Sequence, residues 1–281
     1  MSQAGFMSNN PMDISFFAKP AKWSEEFKRL DRGSSIIRGE QIAEYLGAKL
    51  NPKEGFENDI CIYVKPNIKT VFSKHSYIDI VDIPINNVLE FINLKIPVIA
   101  SSLPAYELIS KSFKDAKVVF IPQHHCNFER VKRKRPNITT VGILGYHASF
   151  VYPMEDIRKR LEEIGLELLF ENHLLNRADV VNAYKKIDIQ ITWSDSRWVT
   201  KNAMKLYNAA SFGIPTVGLK QPIYEEFKGY YIPVNNIDEM IKEITKLKKD
   251  SRYYAQFSKH ITPKAEEYHI SKIAKLYKQL N

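Results

Sequence analysis

The chain has 281 residues, of which 44% are hydrophobic and 12% aromatic, so it can bury a substantial core. These values exclude a disordered polymer, and the length predicts about two domains of ~100–150 residues each. The formal net charge of +9 favours an acidic partner such as a nucleotide, a nucleic acid, an anionic polysaccharide or a membrane surface. Solubility alone is an equally simple explanation of this charge.

The two cysteines, Cys61 and Cys126, are too few for a disulfide scaffold and form no Cys-x-x-Cys pair. The N-terminal residues lack the basic and apolar regions of a secretory signal, and no apolar window long enough to span a membrane occurs elsewhere. We therefore expect a cytoplasmic protein with a disordered start over residues 1–12.

Metal binding has little support in the sequence. The chain contains no Asp-x-Asp motif, and the adjacent residues His124 and His125 cannot both lie on one face of a strand. We predict no metal and no other cofactor.

Short apolar runs alternate with helical patterns in the first half of the chain. The predicted strands are 14–18, 59–64, 77–82, 96–100 and 117–121. The predicted helices are 23–30, 36–46, 86–93 and 104–113. Gly47 lies where a left-handed residue ends a helix. Strands and helices alternating at this spacing predict a parallel sheet that is covered on both faces.

A basic run interrupts this alternation. It consists of Arg130, Lys132, Arg133, Lys134 and Arg135, within a linker that we predict over residues 129–137. Two interpretations are open. The run is a solvated connection between domains, or it contacts the phosphates of a nucleic acid, although no aromatic residue within it could stack on bases.

A second alternating unit follows the linker. Its predicted strands are 138–147, 166–170, 187–193 and 216–219, and its predicted helices are 155–164, 178–186 and 203–211. Gly213 and Pro215 end the last of these helices. The apolar spacing over 265–280 predicts a terminal helix, which packs back across both domains.

The strand over 187–193 leads into a polar segment and then into the helix that contains Lys201 and Lys205. In open α/β sheets, ligands bind beyond the carboxyl ends of the strands. A helix N-terminus favours anions, and Arg197, Lys201 and Lys205 add positive charge there. Gly145, at the tip of another strand, permits a ligand to approach the backbone closely. We expect these residues to face one crevice and to bind a diphosphate.

Residues 201–219, with Tyr224-Glu-Glu after the turn at Gly213, resemble the donor-binding half of GT-B-type glycosyltransferases. Residues 141–150 resemble the first strand and loop of that half. The resemblance implies an α/β fold of two Rossmann-like parallel-sheet domains that face a cleft. The acceptor-side domain would span residues 13–128, the nucleotide-sugar-binding domain 138–262 and the closing helix 263–281.

This resemblance implies transfer of a sugar from a nucleotide-sugar donor to a saccharide or glycoconjugate acceptor without a metal. The residues expected to bind the donor are Gly145, Arg197, Thr200, Lys201, Lys205, Asn208 and Glu225. The catalytic candidates are Asp82, as a general base if transfer inverts configuration, and His147. Retaining members of the family carry two glutamates eight residues apart, where this chain has Thr200 and Asn208.

Three alternatives remain open. A glycosyltransferase that modifies nucleic acid would use the basic run over 130–135 to hold its acceptor. A catalytically degenerate protein would bind a nucleotide sugar without turning it over. An epimerase of the same shape would need a fuller set of acid and base groups than the sequence suggests.

Overall fold

Two parallel β-sheets organise the computed structural model, which describes residues 12–20, 22–24, 29–31, 33–145, 150–193 and 200–281. Each sheet has helices packed on it, so the predicted α/β architecture of two Rossmann-like domains is confirmed. The disordered start that we predicted lies outside the described residues except for Met12. The exact domain limits stay a prediction.

The first sheet has six strands in the order β4-β1-β5-β6-β7-β8, and every pair is parallel. Its strands are β1 (Ile14–Ala18), β4 (Lys49–Leu50), β5 (Ile60–Val64), β6 (Ser76–Asp79), β7 (Val98–Ala100) and β8 (Val118–Phe120). Its helices are α1 (Gly33–Ser35), a π-helical segment (Ile36–Glu40), α2 (Gln41–Leu46), α3 (Ile85–Asn93) and α4 (Leu103–Ser112). Gly47 ends α2 with φ 64°, as its place in the sequence predicts.

The helix predicted over 23–30 is wrong. The chain instead forms two short antiparallel strands, β2 (Lys22–Ser24) and β3 (Arg29–Asp31), with Trp23 opposite Leu30. Helix propensity is a weak preference over so few residues, and backbone pairing between the two strands overrides it.

The second sheet has five strands in the order β10-β9-β11-β12-β13, again all parallel. Its strands are β9 (Thr140–Leu144), β10 (Glu167–Glu171), β11 (Ile189–Thr192), β12 (Thr216–Leu219) and β13 (Ile232–Val234). Its helices are α5 (Met154–Glu163), α6 (Arg177–Lys186), α7 (Met204–Ser211), a 3-10 helix (Pro222–Phe227) and α8 (Ile237–Lys249). The elements predicted here agree with the structure to within a few residues.

The C-terminal part returns the chain to the first domain through two helices, and the helix predicted over 265–280 contains the second of them and only the last two residues of the first. The two helices are α9 (Ser251–Glu266) and α10 (Ile270–Tyr277). The break is stabilised by His269, whose ring nitrogen accepts a hydrogen bond from the N–H of Ser271 at the start of α10. While α9 packs on α7, α10 buries its apolar side chains in the core around Phe16.

A fully buried ion pair lies beneath α10. The Arg38 Nε donates to an Asp79 carboxylate oxygen at 2.5 Å, and a second Arg38 nitrogen donates to the carbonyl of Ile121 at 2.9 Å. The Tyr277 hydroxyl, on α10, lies 3.4 Å from the same carboxylate. Asp79 also accepts the N–H of Val81, so this one carboxylate links the π-helical segment, α10 and the end of β6.

Removing the Asp79 carboxylate should therefore destabilise the protein strongly. The Asp79→Ala variant leaves the Arg38 guanidinium buried without its counter-charge, which costs about 3–5 kcal/mol of unfolding free energy. Urea denaturation measures this loss. The matched control is Glu155→Ala, which breaks the exposed pair with Arg158 and should cost less than about 0.5 kcal/mol. Equal effects of the two substitutions would contradict this role of Asp79.

Candidate functional site

A cavity of about 350 Å³ lies between the two domains, at the carboxyl ends of their strands. The first domain contributes the start of its helical segment and His124. The second contributes the tip of β9, the loop between β10 and α6, and the first turns of α7. Its lining includes Gly33, Cys126, Gly145, Arg177, Lys205 and Asn208. This is the crevice in which the sequence places a ligand.

Lys205 lies against Gly145 at the tip of β9. Gly145 has φ +111°, where side chains are disfavoured, and its N–H donates to the carbonyl of Glu171 at 2.9 Å. A Cβ at this position would lie 3.8 Å from the Nζ of Lys205. The strand tip and the helix start that the sequence analysis singled out therefore meet.

Lys205 is the cation that the structure places most clearly in the cavity. It is half-buried in the first turn of α7, and Lys201, also half-buried, precedes it in the chain. Burial, followed by the positive charge of Lys201, lowers the pKa of Lys205 to about 8. Two cations near a helix N-terminus produce a positive potential that favours an anion.

Asn208 lies one turn beyond Lys205 and is buried. Its side-chain oxygen accepts the N–H of Cys126 at 2.8 Å. The Asn208 side chain thus holds the segment between the two domains against α7. It also lines the cavity. Its predicted contact with a ribose stays a prediction.

Thr200 joins the two domains. Its hydroxyl donates to the carbonyl of Ile83 at 2.7 Å, and its own carbonyl accepts the N–H of Asp82 at 3.3 Å. Thr200 is buried by these contacts. Its predicted role in donor binding also stays a prediction, and its hydroxyl is already engaged in the contact between domains.

Asp82 lies just beyond β6 at this junction. It is half-buried and has φ 52°, a left-handed conformation that costs a non-glycine residue about 1–2 kcal/mol. Burial raises the pKa of its carboxyl group, while the charges of Lys65 and Lys201 lower it. A carboxylate held in a strained conformation near Lys201 is a reasonable candidate for an acid or base group.

Glu225 and its neighbour Glu226 have different environments. Glu225 is exposed and pairs with Lys228 at 2.8 Å, and it does not line the cavity. Glu226 accepts the N–H of Leu103 at 3.2 Å across the domain interface, and burial raises its pKa to about 7. Sequence reasoning missed Glu226, because nothing in a Glu-Glu pair shows which carboxylate turns inwards. The role of Glu225 in binding stays a prediction.

Two of the predicted site residues, His147 and Arg197, lie outside the described residues. Among the residues that the structure describes, no group of three or more histidine, cysteine or acidic side chains could hold a metal ion. No described helix is long and apolar enough to cross a bilayer.

The basic run over 130–135 is largely used within the chain. Arg130 pairs with Glu266 at 2.7 Å, and Arg133 pairs with the buried Asp188 at 2.8 Å. Lys132 donates to the carbonyl of Ser211, and Arg135 to that of Lys186. These contacts favour the interpretation of the run as a connection between domains, and the structure lends no support to nucleic-acid binding.

The lowered pKa of Lys205 predicts a dependence of stability on pH. In unfolded chains lysine keeps a pKa near 10.4, so from about pH 8 upwards the unfolded state binds more protons than the folded state. The unfolding free energy contributed by this group therefore rises with pH through that window. Comparing denaturation of the parent and Lys205→Met at pH 7 and pH 9 measures it.

The variant should be more stable than the parent at pH 7, and this advantage should shrink at pH 9. Lys134→Met, in the exposed part of the linker, provides the control and should show no such change. An advantage of Lys205→Met that does not vary with pH would show that Lys205 is not held in a cationic, partly buried site.

Several solved protein structures share this architecture. No protein-family model and no curated protein sequence matches the chain. A solved glycosyltransferase from Rickettsia africae matches 96% of this chain and 99% of its own, with a TM-score of 0.62 and 11% identity. HepE from Anabaena, solved with UDP and glucose, matches 95% of this chain and 98% of its own, with a TM-score of 0.60 and 12% identity.

TarM from S. aureus, solved with UDP among its ligands, matches 78% of this chain with a TM-score of 0.54 and 15% identity. The match covers 55% of TarM, so this chain spans about half the length of that protein. At such identities the similarities show the fold, which these three proteins and this chain share.

Proposed function

Since the chain has the GT-B fold of these glycosyltransferases, we propose that it transfers a sugar from a nucleoside diphosphate sugar to a saccharide or glycoconjugate acceptor. The observation that carries the proposal is the half-buried cation of Lys205 against Gly145 in the cleft. HepE was solved with UDP and glucose in the same fold, so UDP is the first nucleotide to test.

Lys205 and Lys201 would act on the leaving group. Cleavage of the bond between sugar and phosphate leaves a negative charge on the departing diphosphate, and cations already positioned there stabilise the transition state. We propose that these lysines, with the N–H groups at the start of α7, perform this task in place of a divalent metal. A chelator should therefore leave UDP binding unchanged.

Asp82 would act on the acceptor. If the reaction inverts configuration, a general base must accept the proton of the acceptor hydroxyl as that oxygen attacks the sugar. Asp82 lies at the junction of the domains, and its carboxyl group is influenced by Lys201 of the donor side. Its place at the end of a first-domain strand is where an acceptor would meet the donor.

A catalytically inactive nucleotide-sugar binder is the second candidate. The two positions where retaining relatives carry glutamates hold Thr200 and Asn208. Both of these side chains are engaged by the backbone of this chain, at Ile83 and Cys126. Binding of UDP-sugars without release of UDP would favour this candidate over an enzyme.

UDP binding tests the anion site. A ligand that binds only the folded state raises the melting temperature, and a panel of nucleoside diphosphates and nucleotide sugars should show such an increase. Lys205→Met removes a charged hydrogen-bond donor, which should weaken UDP binding about 10–100-fold. Lys201→Ala should also reduce the increase. Isothermal titration calorimetry measures the affinities.

The controls for this test come from the same domain. Lys228→Met removes an exposed lysine, and Glu225→Gln removes its partner. Neither should change UDP affinity if the site is the cavity lined by Lys205. Loss of binding in Glu225→Gln would restore Glu225 as a donor-binding residue, and full binding by Lys205→Met would contradict the anion site.

Asp82→Asn separates binding from chemistry. Loss of a general base reduces turnover about 10²–10⁴-fold, whereas the affinity for UDP should stay close to that of the parent. Release of UDP from a UDP-sugar, with and without candidate acceptors, measures turnover. Normal turnover in a variant that binds UDP normally would exclude Asp82 as the base.

A further inference from the structure

The loop that joins β5 to β6 has an unusual composition. Residues 65–75 include Lys65, Lys69, Lys74 and His75, but no acidic residue. Lys69 and Lys74 are exposed, and Lys65 is half-buried. The loop therefore carries a local positive charge without compensation from its own sequence.

This loop is held in one conformation by its own hydrogen bonds. Asn67 accepts the N–H of Lys69 on its side chain and the N–H of Thr70 on its carbonyl, both at 2.9 Å. Further along, Ser73 donates its N–H to the hydroxyl of Tyr63 at 3.2 Å, and the Phe72 ring contacts the Tyr63 ring at 5.0 Å. The loop base is thus packed on β5.

The tip of this loop, residues 67–71, presents apolar groups to solvent. Val71 is 90% exposed, the largest value among the large apolar side chains that the structure describes, and Ile68 is 38% exposed. Phe72, the next residue, turns inwards onto the domain. The two aliphatic side chains are therefore displayed by an ordered turn that buries its neighbour.

The loop begins at the carboxyl end of β5. Hydrogen bonds bring Ser73 and His75 back alongside β5, so residues 67–71 extend beyond its carboxyl end. Lys65, at the start of the loop, donates its N–H to Asp79 at the end of β6, and its charge influences Asp82. The start of the loop is therefore close to the junction of the domains at Asp82.

We infer that the loop tip docks the protein on the surface of an anionic lipid bilayer. Lys69 in the loop tip matches the negative potential of such a surface, and the aliphatic side chains of Ile68 and Val71 beside it match its acyl boundary. A soluble polyanion would satisfy Lys69 alone and would leave both aliphatic groups in water. This inference concerns the loop itself and holds whether or not the cleft transfers sugars.

Vesicle co-sedimentation of the full chain tests the inference. We expect binding to vesicles of phosphatidylcholine mixed with phosphatidylglycerol, no binding to phosphatidylcholine alone, and a decrease in binding with added salt. Lys69→Ala should weaken binding about fivefold, from the contribution of one lysine near such a surface. Val71→Asp should weaken it about tenfold or more, because the apolar contact is lost.

Matched controls lie elsewhere in the same domain. Leu94, at the end of α3, is 50% exposed, and Lys114 is an exposed lysine that precedes β8. The Leu94→Asp and Lys114→Ala variants should bind vesicles within about twofold of the parent, since surface substitutions outside the contact have small effects. The melting temperature of each variant confirms that it is folded.

Three results would overturn the inference. The first is no binding to the anionic vesicles, and the second is equal loss in the loop variants and in their controls. The third is self-association in solution that Val71→Asp abolishes while vesicle binding stays unchanged, because the loop tip would then contact a second copy of the chain. UDP affinity should be the same in Val71→Asp and the parent, so a failure here is distinct from a failure of the proposed function.

Discussion

Two lysines close together in a partly buried cleft set the main electrostatic constraint on this protein. Burial and the neighbouring Lys201 lower the pKa of Lys205 to about 8, so positive charge is less stable at this site than in water. An anion such as a diphosphate would further stabilise the charged form of Lys205 and gain charge-assisted hydrogen bonds. The features that position Lys205 against Gly145 are therefore the ones on which the proposed function depends.

The fold provides this arrangement through the ends of parallel strands. The tip of β9 and the start of α7 come from one domain, and Asp82 comes from the other. Thr200 connects them by hydrogen bonds to the backbone at Asp82 and Ile83, which brings the two domains together at one junction. The return of α10 onto the first domain, above the Arg38–Asp79 pair, adds a second connection.

Much of this architecture was predictable because its signals are local. Buried parallel strands appear as short apolar runs, and glycines such as Gly47 and Gly213 mark helix ends. The strand-to-helix passage that contains Lys205 was recognisable for the same reason. The failures were of a different kind. The helix predicted over 23–30 was wrong because strand pairing overrode a weak local preference, and the terminal helix was divided by the capping of α10 at His269.

Long-range partners set the rest of the site, and a single sequence does not show them. Nothing local indicates that Glu226 rather than Glu225 faces the other domain, or that the hydroxyl of Thr200 binds Ile83. The exposure of Val71 is equally hidden, because an aliphatic residue after a turn is more often packed. Each of these depends on residues that are distant in sequence and close only in the folded chain.

A crystal structure of the full chain with UDP would test the central claim most directly. We predict that the diphosphate lies in the cavity beside Gly145, with a phosphate oxygen within hydrogen-bond distance of the Nζ of Lys205 and the charge of Lys201 nearby. A UDP molecule bound elsewhere, or bound in the cleft with Lys205 turned away from its phosphates, would contradict the claim.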